Sequence, residues 1–522
     1  MGSSQDWTRT TYDVAVAGSN RSQAFVAGAV AYTEGASGSK SWYSYDEQGQ
    51  MSWLVQHIPG LGLKTIDYSY DFLSKVRQVA YQRDVTAERF YHHYRYDADG
   101  RLVRTETSRD GSTKTLQAQY SYYLHGPLKR VELGNQLQGL DYVYTAQGCL
   151  KSINNANLGQ DPGGDGVNGV APDVFGLTLD YFSGDYLNSR TAPVATVKAI
   201  PSLTNLSATT YPPLYEGSIR AQSWQNQKLS TTVGAYAYHY DAKGQLQVAD
   251  FGSRDFVGNF TRHATDHHLS ALNYDANGNI LSLKQNKGVV ADDFTSGYFY
   301  QSSPTNPAPL QSGYSTNWLA KVNNYATFGY NAIGQLTSQT LPAAGVYGMN
   351  SINYNVTGKV RQVTDGNSQE RVSFSYNERG LRTSKTAGGV TTYYVYDAEG
   401  NVMAIYQGTA LKELPVYGSG RVGVFDATGS LYRYELTDHL GNVRAVLNAV
   451  KAGGNADVQA ATNYYPFGDP MPGRLVGTGY RYGYQGQYAE KDEETGWNSF
   501  ELRMYDARIG RWLGGRPVWA VQ

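Results

Sequence analysis

Short stretches of alternating apolar and polar residues run along most of the chain. Tyr91–Tyr96 (Tyr-His-His-Tyr-Arg-Tyr) and Leu140–Tyr144 (Leu-Asp-Tyr-Val-Tyr) show this period of two. Neighbouring side chains of a β-strand point to opposite faces of a sheet, so such stretches predict strands with one face turned to a core. The pattern therefore predicts an all-β fold.

Between these stretches the motif Tyr-Asp/Asn-x-x-Gly recurs. The Asp or Asn side chain accepts hydrogen bonds from backbone N–H groups just ahead, and the Gly takes the positive φ that closes a hairpin with a bulge. An aliphatic residue usually follows the Gly by two positions and starts the next strand. Regular copies begin at Tyr45, Tyr96, Tyr240, Tyr274, Tyr330, Tyr354, Tyr376 and Tyr396, and less regular ones at Tyr122 and Tyr144.

The spacing of the turns indicates how the strands are organised. The turn position recurs roughly every 20 to 26 residues in much of the chain, which is typical of an array of repeated units and not of an enzyme domain. We predict one continuous array over residues 1–436, because no clear linker divides it. Irregular insertions rich in Gly, Pro, Asp or Ser are expected at 159–172, 193–217 and 301–317.

Composition adds one feature to this picture. The chain has 45 Tyr and 58 Gly but 15 Phe, and 40% of its residues are hydrophobic. Its mean hydropathy is nevertheless negative. Tyr carries a polar hydroxyl on an apolar ring, so these strands suit sheets that meet water on at least one face. A hollow shell of sheet would satisfy both properties.

Charge and cysteine content exclude several classes of protein. A net charge of −1 and the lack of a basic run argue against nucleic-acid binding. The single Cys149 excludes an intramolecular disulfide. The first residues lack the basic start and apolar run of a signal peptide, and no stretch approaches the ~18 apolar residues of a membrane span.

The loop at 159–172 invites a metal interpretation. Asp161, Asp165 and the nearby Asp173 could supply carboxylates to calcium, which prefers several oxygen ligands on a tight loop. Asp and Gly also form turns without any ion, and we predict the turn.

The histidines give a second metal interpretation. His92-His93 and His263 with His267-His268 have spacings found in metal sites. Adjacent residues of a strand face opposite ways, so each pair can offer one ligand to a site. We therefore predict no metal site and no cofactor.

The C-terminal part carries a different set of motifs. Asp438-His-Leu-Gly-Asn-Val-Arg444 comes first, Tyr465-Pro-Phe-Gly468 follows, and Arg503-Met-Tyr-Asp-Ala-Arg-Ile-Gly-Arg-Trp-Leu513 comes last. Together with the repeats, they resemble the YD repeats and repeat-associated core domain of Rhs proteins, toxin-complex C components and teneurins. The resemblance implies a spiralling β-hairpin ribbon that forms a hollow cocoon, with residues 437–522 folded inward as a plug.

The resemblance also implies a self-cleaving site. In the family, the core domain cuts itself from its cargo as an aspartyl-type protease, with one carboxylate in Lys/Arg-Asp-x-x-Thr-Gly and another in an Asp-Pro box after Gly-Arg-Phe/Trp-Leu. Asp492 matches the first, but Arg516 stands where the second Asp is expected. A guanidinium stays protonated and cannot share a proton with a carboxylate. We expect self-cleavage to be lost; Asp506 is the nearest replacement in sequence.

The function implied is encapsulation of a toxic C-terminal polypeptide in a polymorphic toxin system, here without the cargo. Such a protein would be bacterial, cytoplasmic before export and secreted or at the cell surface after delivery, with the toxin and a delivery component as partners. One alternative is a carbohydrate-binding or adhesion module with an exposed row of Tyr. Another is an active protease, which needs a carboxylate within reach of Asp492.

Overall fold

The structure is a computed structural model that describes residues 6–186, 200, 202–288, 290–295, 297–303, 306–310, 316–341, 348–477, 479–486 and 490–513. In these ranges the regular structure is antiparallel β-sheet, with one short 3-10 helix. The prediction of an all-β fold is confirmed. No helix in the described ranges is long and apolar enough to cross a membrane.

The first strands form a continuous series in which each strand pairs with the next. They are β1 (Thr8–Tyr12), β2 (Val30–Gly35), β3 (Lys40–Tyr45), β4 (Met51–Ile58), β5 (Gly62–Tyr70), β6 (Val76–Tyr81), β7 (Phe90–Tyr96), β8 (Leu102–Ser108) and β9 (Thr115–Tyr122).

The next series contains the 3-10 helix, Leu158–Gln160, between β12 and β13. Its strands are β10 (Leu128–Leu133), β11 (Gln138–Tyr144), β12 (Leu150–Ile153), β13 (Phe175–Asp180), β14 (Ala221–Asn226), β15 (Val233–Tyr240), β16 (Leu246–Arg254), β17 (Phe260–Arg262), β18 (Leu269–Tyr274), β19 (Ile280–Lys287), β20 (Val290–Asp293), β21 (Tyr298–Ser303), β22 (Asn306–Leu310), β23 (Leu319–Val322), β24 (Ala326–Tyr330) and β25 (Leu336–Thr340).

Two further series complete the chain. The longer one comprises β26 (Ser351–Tyr354), β27 (Val360–Thr364), β28 (Glu370–Tyr376), β29 (Arg382–Ala387), β30 (Val390–Tyr396), β31 (Val402–Gln407), β32 (Ala410–Tyr417), β33 (Arg421–Asp426), β34 (Leu431–Thr437), β35 (Val443–Asn448), β36 (Val458–Tyr464) and β37 (Pro470–Val476). A small sheet follows, with β38 (Glu490–Lys491), β39 (Asn498–Ser499), β40 (Met504–Asp506) and β41 (Arg511–Leu513).

The repeat motif forms the hairpin that its sequence predicts. The register of the ladder shifts at the repeat tyrosine, for example between Ser44 and Tyr45, Arg95 and Tyr96, and His239 and Tyr240. Such a shift is a bulge, which increases the local twist of the strand pair. Every copy of the motif therefore bends the ribbon at the same place in its unit.

The insertions behave differently from one another. Residues 161–174 form turns and no strand. Part of the insertion expected at 301–317 is instead the hairpin of β21 and β22, whereas 304–305 and 311–315 lie outside the described residues. In the insertion expected at 193–217, residues 193–199 and 201 also lie outside, and the described part has no strand.

The contacts divide the described chain into two compact units. One combines the residues up to Tyr120 with Ser351–Tyr434, and the other combines Ser121–Asn350 with the residues from Glu435 onward. Each unit therefore contains an earlier and a later segment of the chain. The division into a shell to residue 436 and a core domain from 437 stays a prediction.

Candidate functional site

The repeat turn is the first structural feature that the motif explains atom by atom. At Asp46 the side-chain Oδ1 accepts the backbone N–H groups of Gln48 and Gln50 at 3.0 and 2.8 Å. The N–H of Gly49 donates to the carbonyl of Asp46 at 3.0 Å, and Gly49 has a φ of 80°. The Asp thus satisfies the donors of its own turn, which explains why a short polar acceptor is required there.

The repeat tyrosines link each hairpin to the preceding one. Their hydroxyls donate to the backbone carbonyl of the residue two positions after the residue that closes the preceding turn, at 2.6–3.1 Å. The pairs are Tyr45–Val30, Tyr70–Met51, Tyr96–Val76, Tyr181–Leu150, Tyr240–Ile219, Tyr274–Leu246, Tyr300–Ile280, Tyr376–Val360, Tyr396–Arg382, Tyr417–Val402 and Tyr464–Val443. Sequence reasoning missed this bond.

The structure also shows turns that the motif did not identify. Asp255 and Asp365 make the same backbone bonds as Asp46, and the turn at Asp365 is closed by Ser368 with a φ of 61°. Neither turn is preceded by Tyr, which is why the search for Tyr-Asp missed them. In both turns the next strand starts five residues after the Asp, so a search for Asp or Asn at that distance before a strand, without the Tyr, would have found both.

In the first unit, polar side chains join the earlier and later segments. The hydroxyls of Tyr81 and Tyr406 lie 2.5 Å apart, and Tyr406 also donates to Glu88 at 2.7 Å. Further along, His92 Nε2 lies 3.1 Å from the carbonyl of Pro415. These partners are 325, 318 and 323 residues apart in sequence. The later segment therefore runs beside the earlier one in the same direction.

In the second unit, the C-terminal motifs pack against earlier strands. The Arg444 guanidinium lies 5.4 Å from the ring of Phe175 and 5.3 Å from that of Trp224. It also donates to Asp438 at 3.3 Å and to Asn463 at 2.7 Å. The buried Arg444 is thus held by both charge and aromatic faces, which explains the Asp438 and Arg444 positions of the first C-terminal motif.

The last motif supplies further contacts to the same unit. Arg508 makes a bidentate pair with Asp292 at 2.9 and 2.8 Å. Arg511 donates to the side chain of Asn279 at 3.1 Å, and Arg503 lies over the ring of Trp512 at 4.6 Å.

Asp492 lies in the small C-terminal sheet. It follows β38, its side chain is fully buried, and its N–H donates to the carbonyl of Trp497 at 2.8 Å. The N–H of Gly496 donates back to the carbonyl of Asp492 at 2.7 Å, which closes a tight turn. Burial of an acidic residue at this turn is consistent with either a structural or a chemical role.

Asp506 lies on β40, at the same end of the sheet. The ladder pairs Asn498 with Tyr505, and continuing this register places Trp497 opposite Asp506. Asp492 and Asp506 are then separated by one intervening strand, which corresponds to about 10 Å between their backbones. The sheet brings the two carboxylates to one edge but places the buried Trp497 between them.

Asp506 has its own set of partners. Its Oδ2 accepts the hydroxyl of Tyr325, and its Oδ1 accepts the N–H of Arg508 at 3.1 Å. Burial raises the pKa of Asp506 to about 6, although these two bonds oppose the rise. The third residue of the predicted site, Arg516, lies outside the described residues.

The histidines considered as metal ligands lie in two places, with His92 beside Pro415 and with His263, His267 and His268 around Phe251. Burial lowers the pKa of His92 and of His267 to about 4. His267 Nδ1 lies 3.1 Å from the hydroxyl of Tyr465, and His268 Nδ1 accepts the N–H of Phe251 at 3.1 Å. His92 and His267 are therefore neutral imidazoles of the packed interior.

Known proteins with similar sequences match parts of the chain. No family model matches it. Salivary gland surface protein 1 of Aedes aegypti is 28% identical over 183 residues, which are 31% of this chain and 5% of that protein. The tRNA3(Ser)-specific nuclease WapA of Bacillus spizizenii is 28% identical over 211 residues, which are 38% of this chain and 8% of that protein. The chain thus spans a small fraction of either relative.

Solved structures match nearly the whole chain. The hairpin units, their turns and their tyrosine links define an all-β repeat fold. The crystal structure of TcdB2-TccC3 has this fold, with a TM-score of 0.63 at 15% identity over 99% of this chain and 24% of that one. TcdB2-TccC3 without its hypervariable C-terminal region gives 0.62 at 16% identity, over 95% and 23%. The resemblance to Rhs-type repeat proteins is confirmed at the level of the fold.

Proposed function

We propose that the chain forms part of a shell that encloses a toxic C-terminal polypeptide until delivery. The observation that carries the proposal is the likeness to TcdB2-TccC3 over 99% of the chain. The second similar structure is described as lacking a hypervariable C-terminal region, which fits a constant shell that carries a variable cargo. The chain spans about a quarter of that protein.

The positions of the tyrosines favour the shell and not the adhesion surface. A carbohydrate platform needs exposed aromatic faces. The repeat tyrosines are instead half-buried or buried, and their hydroxyls are bonded to neighbouring hairpins. We therefore do not propose the adhesion alternative.

The partners and compartments follow from this proposal. A C-terminal toxin would be the enclosed partner, and a secretion or toxin-complex component would deliver it. In the bacterial cytoplasm where the chain is made, the shell would keep the toxin from its own host, and export would bring the shell to the cell surface or the medium.

A protection experiment tests encapsulation. A toxic C-terminal polypeptide is appended after Gln522, and the same polypeptide is fused before Met1 as the control. We expect the C-terminal fusion to resist added protease and to escape its immunity protein, whereas the N-terminal fusion is digested and bound. Equal digestion and equal binding of the two fusions would show that the chain encloses nothing.

We also propose that this chain does not cut itself, since Arg516 replaces the second carboxylate and Asp506 lies across a strand from Asp492. Two carboxylates that share a proton can act as acid and base, which a guanidinium cannot do. Arg516→Asp, with a natural continuation after Pro517, should restore cleavage, and adding Asp492→Asn should abolish it. Intact-mass measurement of the extended chain checks both. Cleavage of the Arg516 version would instead favour the protease alternative, with Asp506→Asn as the next variant.

A further inference from the structure

The loop between β12 and β13 brings three aspartates together with a strand residue. Carboxylate oxygens of Asp141, Asp161 and Asp165 all lie within 4.8 Å of one another. Asp141 belongs to β11, whereas Asp161 and Asp165 lie in the loop. Arg130 of β10 donates to both Asp141 and Asp165. The group therefore joins three separate parts of the second unit.

Asp173 gives an independent indication that something is missing from this cluster. It is 3% exposed, and its Oδ1 accepts Gln138 Nε2 at 2.7 Å and Asn154 Nδ2 at 2.8 Å. Its Oδ2 is buried and has no hydrogen-bond donor in the described residues. The Asp173 carboxyl faces that of Asp161 within interaction range. Two carboxylate oxygens that face each other need a proton or a cation between them.

The charges in the cluster do not balance. The guanidinium of Arg130 donates to Asp141 and Asp165 and interacts with the charge of Asp161, whereas Asp173 lies against Asp161. With all four carboxyls ionised, the cluster carries an excess of negative charge. A divalent ion would supply the missing charge and let all four groups ionise.

The backbone is packed closely around the cluster. A Cβ on Gly163 would clash with Arg130 Nη1 and Asp141 Oδ2, and a Cβ on Gly139 would clash with Arg130 Nη2 and Asp165 Oδ2. Glycine is therefore required at both positions for the chain to approach these carboxylates. The loop is folded onto the carboxylates, which a solvated acidic turn does not need.

We propose that Asp141, Asp161, Asp165 and Asp173 bind a calcium ion that fixes the loop to β11. Hard cations prefer carboxylate oxygens, and calcium accepts the irregular arrangement of a loop more readily than magnesium, which requires a near-octahedral site. The prediction made from the sequence considered three of these residues, Asp161, Asp165 and Asp173, and favoured a turn without an ion. It could not include Asp141, which reaches the loop through the pairing of β11.

Calorimetric titration of the full chain with calcium chloride and, separately, with magnesium chloride tests the proposal directly. We expect calcium to bind at one site and to raise the melting temperature by several degrees over that in EDTA, because a ligand that binds the folded state stabilises it. No binding and an unchanged melting temperature at about 10 mM calcium would overturn the proposal and favour a shared proton. Equal affinity for magnesium would overturn the choice of calcium.

The variant Asp173→Asn distinguishes a bound cation from a shared proton. The Asn amide can donate to Asp161, so this variant should melt higher than the wild type in EDTA and lose the calcium-dependent rise. Asp255→Asn in the same unit is the matched control, since Asn stands at this turn position in other copies, and it should keep the rise. A calcium rise retained in Asp173→Asn would show that the ion binds elsewhere. If Asp173→Asn does not fold, the wild-type titration and Asp161→Asn decide.

Discussion

At the scale of single residues, one interaction that recurs along the chain is the bond from a tyrosine hydroxyl to a carbonyl of the preceding hairpin. Tyr274 donates to the carbonyl of Leu246 at 2.8 Å. Burial raises the pKa of Tyr274, so its hydroxyl remains a donor throughout the range in which proteins are studied. The hydroxyl of Tyr274 therefore links its own hairpin to the preceding one.

Tyr274→Phe should lower the free energy of unfolding by about 1 kcal/mol, because the carbonyl of Leu246 loses its donor while the ring stays in place. Urea denaturation of the two proteins measures the change. Tyr215→Phe is the control, since Tyr215 is 76% exposed. Equal effects of the two substitutions would show that the bond to the preceding hairpin contributes nothing.

Asp506 should make stability depend on pH. Its pKa rises from 3.8 in the unfolded chain to about 6, so the folded state binds the proton more tightly. Its contribution is fully present below pH 3.8 and is lost as the pH rises through about 6. The loss amounts to roughly 3 kcal/mol.

Asp506→Asn keeps an acceptor for Tyr325 and removes the titration. It should exceed the wild type in stability at pH 8 and lose that advantage near pH 4, as measured by urea denaturation across the range. A constant difference between Asp506→Asn and the wild type at every pH would contradict the assignment.

At the scale of elements, the turn explains which glycines are required. Gly244 and Gly334 close equivalent turns with φ of 76° and 82°. A Cβ on Gly244 would meet open space, whereas one on Gly334 would lie 2.6 Å from Nε1 of Trp318. Ser74 and Ser368 occupy the same position with positive φ, so the conformation alone can be tolerated.

Gly244→Ala should therefore cost about 1 kcal/mol of stability from backbone strain. Gly334→Ala should cost clearly more, because the Trp318 ring, which stacks on Tyr330, must also move. Thermal or urea unfolding of both variants gives the comparison. A Gly334→Ala variant no less stable than Gly244→Ala would show that Trp318 adapts freely.

The elements were predictable because their signals are local. A turn needs its Asp and its positive-φ residue within four positions, and the motif contains both. The bond from Tyr to the preceding hairpin was not predictable, since its acceptor is a backbone carbonyl and leaves no trace in the sequence. Asp506 was named as a partner for Asp492 by closeness in sequence, but closeness along the chain does not report the strand that lies between them.

At the scale of the whole chain, each compact unit depends on segments far apart in sequence. Thr107 and Tyr432 share a hydrogen bond at 2.8 Å, as do Gln117 and Tyr434 at 2.8 Å. The residue types do not predict these pairs, because Thr, Gln and Tyr occur throughout the array. The division into a shell and a core domain that the motifs predict therefore does not tell which distant segments are in contact.

A chain cut between residues 344 and 345 should assemble when both halves are expressed together. Each half alone lacks the strands of the other half that pack against it. It should therefore melt without a cooperative transition and bind a hydrophobic dye. Copurification of the halves and recovery of one transition check the expectation. A cooperative transition of residues 1–344 alone, at the temperature of the whole chain, would contradict it.

The tyrosine bond has a consequence for how such arrays change over evolutionary time. Its acceptor is a main-chain oxygen, which any amino acid provides, so a duplicated unit finds its acceptor on whichever unit precedes it. No second substitution is needed. Gain or loss of a whole unit is thus tolerated locally, whereas pairs such as Tyr81 and Tyr406 set the length of chain between them. Duplications should accumulate where the number of added units keeps these distant partners opposite each other. The array can then lengthen by whole hairpins.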